Sequence, residues 1–192
     1  MIVGGGTGKI QKFDETKSQD ANNVEKIVID TKSVNVNIST SMSSEVEAHF
    51  YGKGEVDGEV NFEVSKVNRE LRIILDITGI CYNSNLQLDI TVPSKTFKTI
   101  FASSSSANIN LSESVSVEHL KLKTKSGNLE TRATFTNASI DTMSGDVELY
   151  IDANKDISAE IATMSGGVAT ELKNIGQINL YTSSMSGDIR IQ

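Results

Sequence analysis

The triplet Met-Ser-Gly occurs at 143–145, 164–166 and 185–187, at a strict interval of 21 residues. A period of about 20 to 30 residues marks a solenoid, in which each copy forms one coil stacked on the last. Aligning Ala107, Gly127, Gly145, Gly166 and Gly187 gives spacings of 20, 18, 21 and 21. A strand is expected on each side of this corner. Before it, Ile100 and Ala102, Leu122 and Thr124, Ile140 and Thr142, Ile161 and Thr163, and Leu180 and Thr182 keep one parity. After it, Ile109 and Leu111, Leu129 and Thr131, Val147 and Leu149, Val168 and Thr170, and Ile189 and Ile191 do the same. Alternate residues of a strand share a face, so these positions should line the interior as columns. Lys121, Lys123, Asp141, Glu148, Glu160 and Arg190 should then face water.

On this alignment the copies at 100–107 and 180–187 carry two extra serines each, and a two-residue insertion preserves face parity. The corner glycine is expected to serve a bend with positive φ. The serine before it is expected to satisfy a free backbone group, and the inward threonines to pair across coils. Thr134 to Asn137, Asp152 to Asp156 and Lys173 to Gln177 read as the remaining corners.

Upstream, residues 45–93 alternate in four runs: Val46 to Tyr51, Val60 to Val64, Leu71 to Ile77 and Leu86 to Val92. Gly52-Lys53-Gly54, Asp57-Gly58, Asn68-Arg69 and Tyr82 to Asn85 read as turns between them, and short spacers favour antiparallel hairpins. Pro93 should close this set. Residues 24–38 also alternate, and Ile29 to Val36 resembles a degenerate first coil with a valine near the glycine position. Residues 1–23 show little periodicity and read as a flexible leader. Within them, Gly4 to Lys9 fails as a phosphate loop, because Val3 and Ile10 replace its first glycine and its hydroxyl residue. The organisation expected is therefore a leader over 1–23, an antiparallel β region with a degenerate coil over 24–95, and β-solenoid repeats of about five coils over 96–192. The fold class is all-β.

Four motif copies carry a family resemblance: Ser126-Gly127-Asn128-Leu129, Ser144-Gly145-Asp146-Val147, Ser165-Gly166-Gly167-Val168 and Ser186-Gly187-Asp188-Ile189. With the upstream step Val92-Pro93, they resemble a bacterial family of domains of unknown function labelled as candidate adhesins, over about residues 24–192. The resemblance implies a β-solenoid fold, a surface or envelope location and no catalytic residues. Asn128 and Gly167 depart from the aspartate, which argues against a metal role for that column.

The chain is acidic, with a net charge of −7. That argues against nucleic-acid binding, which needs a concentrated basic surface. The single cysteine, Cys81, excludes an intrachain disulfide framework and reads as a small buried apolar residue. No apolar run reaches the roughly 18 residues of a membrane-spanning helix. Met1-Ile2-Val3 is too short for a signal peptide, so a native signal or anchor is expected to be missing from this sequence.

No catalytic, cofactor or metal constellation emerges. Asp152 to Asp156 begins like a calcium loop, but Ile157 and Thr163 stand where its glycine and glutamate belong. His49 and His119 have no zinc-like spacing. Ser103 to Ser106 lacks a neighbouring base and reads as a corner insertion. The possible contact surface consists of Lys121, Lys123 and Lys125, a basic stripe on one strand, and of Tyr150 and Tyr181, expected to point outwards with Met143, Met164 and Met185 near the corners. The chain closes on Ile189-Arg190-Ile191-Gln192 inside an expected strand, which leaves three explanations: a truncated C-terminus, a cap formed by another segment, or self-association through the C-terminal coil edge.

The first functional expectation is thus a non-catalytic cell-surface protein, an adhesin or assembly scaffold that binds a protein or glycan and needs no cofactor. The alternatives are a carbohydrate-active β-helix enzyme, for which Asp141, Glu148 and Glu160 would have to converge, and a sensory ectodomain that binds a protein partner.

Overall fold

The computed structural model describes residues 10–152, 156–173, 178–186 and 188–191. Seventeen strands and no helix occur among them. In chain order they are β1 (Ile10–Asp20), β2 (Lys26–Thr31), β3 (Asn35–Ser41), β4 (Glu45–Asp57), β5 (Val60–Val67), β6 (Glu70–Ile77), β7 (Ile80–Pro93), β8 (Thr96–Ser104) and β9 (Ile109–Leu111). They continue as β10 (Ser116–Ser126), β11 (Leu129–Thr131), β12 (Thr134–Ser144), β13 (Val147–Asp152), β14 (Ile157–Ser165), β15 (Val168–Lys173), β16 (Ile178–Ser186) and β17 (Ile189–Ile191).

Two sheets enclose one continuous hydrophobic core. The first runs β1-β4-β7-β3-β9-β11-β13-β15-β17, and the second runs β5-β6-β2-β8-β10-β12-β14-β16. From β8 onward each coil gives one strand to the second sheet and the next to the first, and neighbouring coils pair in parallel. The pair β2 and β3 stacks in parallel on β8 and β9, so residues 26–41 form a coil of the same kind. The chain is all-β, and its arrangement is solenoid-like with mixed sheets.

The mixed character comes from residues 45–93, which form one long hairpin bent across both sheets. β4 pairs antiparallel with β7, β5 pairs antiparallel with β6, and β6 and β7 then join β2 and β3 in parallel. The bend passes through Gly58 and Gly79, at φ 149° and 97°. A Cβ on Gly58 would lie 1.6 Å from the Thr78 carbonyl oxygen, and one on Gly79 would lie 1.8 Å from that of Asp57.

Several turn expectations are corrected here. Gly52 to Gly54 lies inside β4 at an irregularity between Lys53 and Glu55, and Tyr82 to Asn85 lies inside β7. Gly52 is required by a close approach, since a Cβ there would sit 2.0 Å from the Asn85 carbonyl oxygen. Thr134 to Asn137 opens β12 instead of forming a corner. Most of the corners expected at Asp152 to Asp156 and Lys173 to Gln177 falls outside the described residues.

The leader expectation is also corrected over residues 10–20, which form β1 and pair antiparallel with β4 at the edge of the first sheet. Phe13 packs on Phe50 with ring centroids 5.1 Å apart and the planes tilted by 39°, and Phe50 meets Phe62 edge-on at 6.0 Å. Lys17 Nζ donates to the Phe62 carbonyl at 2.5 Å. β1 thus covers this end of the core. Its remaining residues are mostly exposed and often charged, which keeps an edge strand from recruiting another.

Among the described side chains the inward columns follow the expected parity, but two copies slide by two residues in register. Ile100 pairs with Leu120 and Ala102 with Leu122, while Leu180 pairs with Ala159 and Thr182 with Ile161. Ile100 to Ile109, Leu120 to Leu129, Ala138 to Val147, Ala159 to Val168 and Leu180 to Ile189 are then all nine residues apart. No serine is inserted at any of these corners. Ser104 instead occupies the column of Thr31, Thr124, Thr142 and Thr163, all buried. These hydroxyls do not bond one another. Thr142 donates to the Gly127 carbonyl and Thr163 to that of Gly145, both over a long 3.5 Å, and Ser104 donates to that of Lys32 at 3.3 Å.

Candidate functional site

The repeated corner is the first place to look for chemistry. Its column reads Val34, Ala107, Gly127, Gly145 and Gly166, each three residues after the buried hydroxyl. The glycine requirement is space. A Cβ on Gly127, Gly145 or Gly166 would lie 2.1 to 2.2 Å from the carbonyl oxygen of the residue one coil before it. No left-handed φ occurs at Gly127 or Gly145, whereas Gly166 has a positive φ of 158°. The expectation of a positive-φ bend is therefore corrected at Gly127 and Gly145 and holds at Gly166, and Gly187 lies outside the described residues.

The residue after the glycine builds a ladder. Asn35 Oδ1 accepts the Asn108 amide at 3.1 Å, and Asn108 Oδ1 accepts that of Asn128 at 2.9 Å. Asn128 Oδ1 accepts the Asp146 amide at 3.0 Å, and Asp146 Oδ1 accepts that of Gly167 at 2.8 Å. Each side chain meets the same backbone group one coil further on. The corner amide is met by this residue and not by the serine hydroxyl. The Asn-or-Asp identity is explained by the need for a short acceptor, which both residues supply. No group of three His, Cys, Asp or Glu suited to a metal ion occurs among the described residues.

The outer face of the first sheet carries Tyr150, whose ring lies under Arg132 at 4.2 Å. Arg132 Nε donates to Glu130 at 3.1 Å, and the Tyr150 hydroxyl donates to Glu148 at 3.1 Å. The bond to Glu148 pushes the Tyr150 hydroxyl above its ordinary pKa, and the bond to Glu130 does the same for Arg132. Half-buried and capped by a guanidinium, this tyrosine presents little free ring surface. Further along the same face, Asp89 accepts from both Tyr51 at 2.9 Å and Asn37 at 2.8 Å. Asn110 in turn donates to Asn37 at 3.0 Å, so these side chains cross-link β4, β7, β3 and β9.

The outer face of the second sheet is different. Alternation from His119 to Lys125 of β10 sends His119, Lys121, Lys123 and Lys125 outwards while Leu120, Leu122 and Thr124 point into the core. Lys121 shares a row with Ser139, Glu160 and Tyr181 on the next three strands, and Tyr181 is 67% exposed. Met143, Met164 and Met185 continue the row of Lys125 and are also exposed. The structure thus brings Lys121, Lys123, Lys125 and Tyr181 to one face and places Tyr150 on the opposite one.

On the other side of Lys121 lie Phe101 and Val28, both half-buried. Sequence reasoning passed over these two. Their signal is three consecutive apolar residues, Ile27-Val28-Ile29 and Ile100-Phe101-Ala102, in strands that otherwise alternate. The acidic trio does not converge, because Asp141 and Glu160 lie on β12 and β14 while Glu148 lies on β13 in the other sheet.

No helix among the described residues is long and apolar enough to cross a membrane. No curated protein matches the chain. Among solved structures, a candidate cell adhesion protein from Clostridium sporogenes is similar with a TM-score of 0.59 and 11% identity, over 94% of this chain and 99% of that one. A candidate adhesin from Bacteroides fragilis is similar with a TM-score of 0.48 and 15% identity, over 97% and 98%. The family model that matches is Toastrack DUF4097, a domain of unknown function; it covers residues 24–192, and the chain belongs to that family.

Proposed function

We propose that this protein is a non-catalytic component of the cell surface or envelope, outside the cytoplasm, acting as an adhesin or assembly scaffold. In this reading about five coils from residue 96 onward form a stiff support, and the outer face of the second sheet meets a glycan or protein. The observation that carries the proposal is the contrast between the two outer faces. On the first, the polar groups flanking Tyr150 and Tyr51 are tied to one another. On the second, Lys121, Lys123 and Lys125 make no ion pair among the described residues, and Tyr181 and three methionines stand exposed nearby. Exposed apolar groups beside unneutralised charge are the usual mark of a contact surface. The similarity in fold to a protein named for cell adhesion agrees with this role.

A glycan array run beside a polysaccharide-degradation assay tests the proposal. Binding that is lost in Tyr181→Ala, with every polymer recovered at its original length, is the expected result. Shortening of any polymer would overturn the non-catalytic reading.

A further inference from the structure

We propose that β10 is the binding track for a linear phosphodiester polymer whose backbone repeats every six bonds, laid along the strand. The inference rests on the reading above that this face binds a ligand, and assigns it a phosphodiester polymer in place of the glycan or protein named there. Four basic side chains, His119, Lys121, Lys123 and Lys125, leave one side of one strand at every second residue. Two residues of strand advance about 6.6–6.8 Å. That step spans six backbone bonds, so an extended polymer with a six-bond repeat, such as poly(glycerol phosphate), advances by about the same 6.6–7 Å. One phosphate per repeat then falls opposite each successive ammonium group.

The charges on this track are free to act. Elsewhere on this sheet and its rim, lysines are neutralised: Lys26 by Glu70 at 2.7 Å, Lys32 by Asp76 at 2.6 Å and Lys98 by Glu25 at 2.7 Å. Lys121, Lys123 and Lys125 have no such partner among the described residues. Glu118 is on the same strand and Asp141 is in register with Lys123, and among the described residues neither forms an ion pair with these lysines. Ser139 lies in register with Lys121 and adds a hydroxyl donor beside the track. Three like charges on one strand repel each other, and an anion that spans them removes that repulsion.

The geometry selects a polymer over a single anion, because the side chains stand in line and do not converge on one point. Many weak contacts along one chain then add through effective concentration. It also disfavours a single-stranded nucleic acid, although that backbone repeats every six bonds as well. Such strands need a series of aromatic platforms for their bases. Here Phe101 is half-buried, and Tyr181 stands three strands from Lys121, about 14 Å away at ordinary strand spacing.

The test is a titration of the whole chain with poly(glycerol phosphate) across salt concentrations. With three lysines engaged, log affinity should fall against log salt with a slope of about −2, a loss of about twentyfold between 50 and 200 mM. Each of Lys121→Gln, Lys123→Gln and Lys125→Gln should reduce that slope by about 0.7, and Lys53→Gln on β4 should leave it unchanged. These side chains are exposed, and a thermal melt of each variant confirms its fold. Binding undiminished in the triple variant would overturn the proposal, as would no binding at about 20 mM salt, where such contacts are strongest. Tighter binding of oligothymidylate of matched charge would overturn the polymer class in favour of nucleic acid. The length of the recovered polymer is a separate readout, because shortening defeats the non-catalytic reading and leaves the track's slope as measured.

Discussion

Gly166 and Gly167 stand side by side, yet opposite outcomes are expected when each gains a side chain. Gly166 is packed against the Gly145 carbonyl, with 2.1 Å available to a Cβ. Gly167 is open: a Cβ there meets Asp146 Oδ1 and the Asp188 carbonyl oxygen at 3.4 Å each, and its φ is not left-handed. It is also the one rung without a side-chain acceptor in a ladder that runs through Asn35, Asn108, Asn128 and Asp146. Gly167→Asn should restore that rung by offering Oδ1 to the amide of Asp188. Loss of backbone freedom in the unfolded chain contributes about 0.4–1 kcal/mol where the native φ is compatible. The hydrogen bond adds about 0.5 kcal/mol, the low end of the usual range because the corner is exposed.

The sum is about 1–1.5 kcal/mol of stabilisation, or a rise in Tm of about 3–5 °C for a chain of this size. Urea unfolding, with the m-value checked for constancy, measures it. Gly167→Ala gains the backbone part alone, so the difference between the two variants isolates the acceptor. Asparagine no more stabilising than alanine would refute the ladder reasoning. Either substitution lowering stability would refute the claim that the site is open.

Three further outcomes are expected. Gly145→Ala, whose Cβ would sit 2.1 Å from the Gly127 carbonyl oxygen, should lower stability by about 2–3 kcal/mol in the same urea assay, because two backbones must separate. Phe13→Ala removes a half-buried ring from Phe50 and should cost about 2 kcal/mol, below the 3–5 of a fully buried ring; hydrogen exchange should quicken in β1 before it does in β12. Glu25 is held below its ordinary value of 4.5 by its bond to Lys98 and then by Arg69. Its contribution is thus present above pH 4.5 and lost as pH falls through the lowered value, so Glu25→Gln should flatten the acid side of the stability profile, and added salt should shrink the difference.

How far the chain could be read in advance depended on which physical signal each element carries. The inward positions were legible because apolar parity is a period-two signal and the core enforces it at Leu122, Ile140 and Ile161. The same period hides a slip of two residues, which is why Ser104 looked like part of an insertion when it fills the threonine column. Glycine was misread in two ways. At Gly52 it resembled a turn and at Gly145 a positive-φ bend, but both positions serve a neighbouring carbonyl that only the stacked chain reveals. β1 was illegible because an edge strand buries little: Phe13 and Lys17 face the end of the core, while the residues around them are polar or charged and solvated. Tyr150 and Tyr181 were grouped because alternation says which residues point outwards without saying from which sheet. The corner ladder was legible in principle, since Asn or Asp recurs four residues after the buried hydroxyl at 35, 108, 128 and 146.

These assignments leave unequal freedom across the surface, and that inequality bears on where function resides. The columns of Ile, Leu, Val and Thr hold the two sheets together, and the corner leaves no room for a Cβ at Gly127, Gly145 or Gly166. Neither constraint reaches the outward positions of the second sheet, where the fold accepts almost any residue suited to a strand. The positions in register with Lys121 and Lys123 hold Phe101 and Ser103 on one side and Ser139 and Asp141 on the other, so the repeat itself does not call for lysine. Lysine at three consecutive outward positions of β10 sets like charges side by side on one strand, and their mutual repulsion works against the pattern. A pattern that the fold does not demand and local repulsion disfavours is what the proposed ligand would compensate. For that reason the salt slope of the β10 variants is the measurement that most directly separates a binding face from a solvated one.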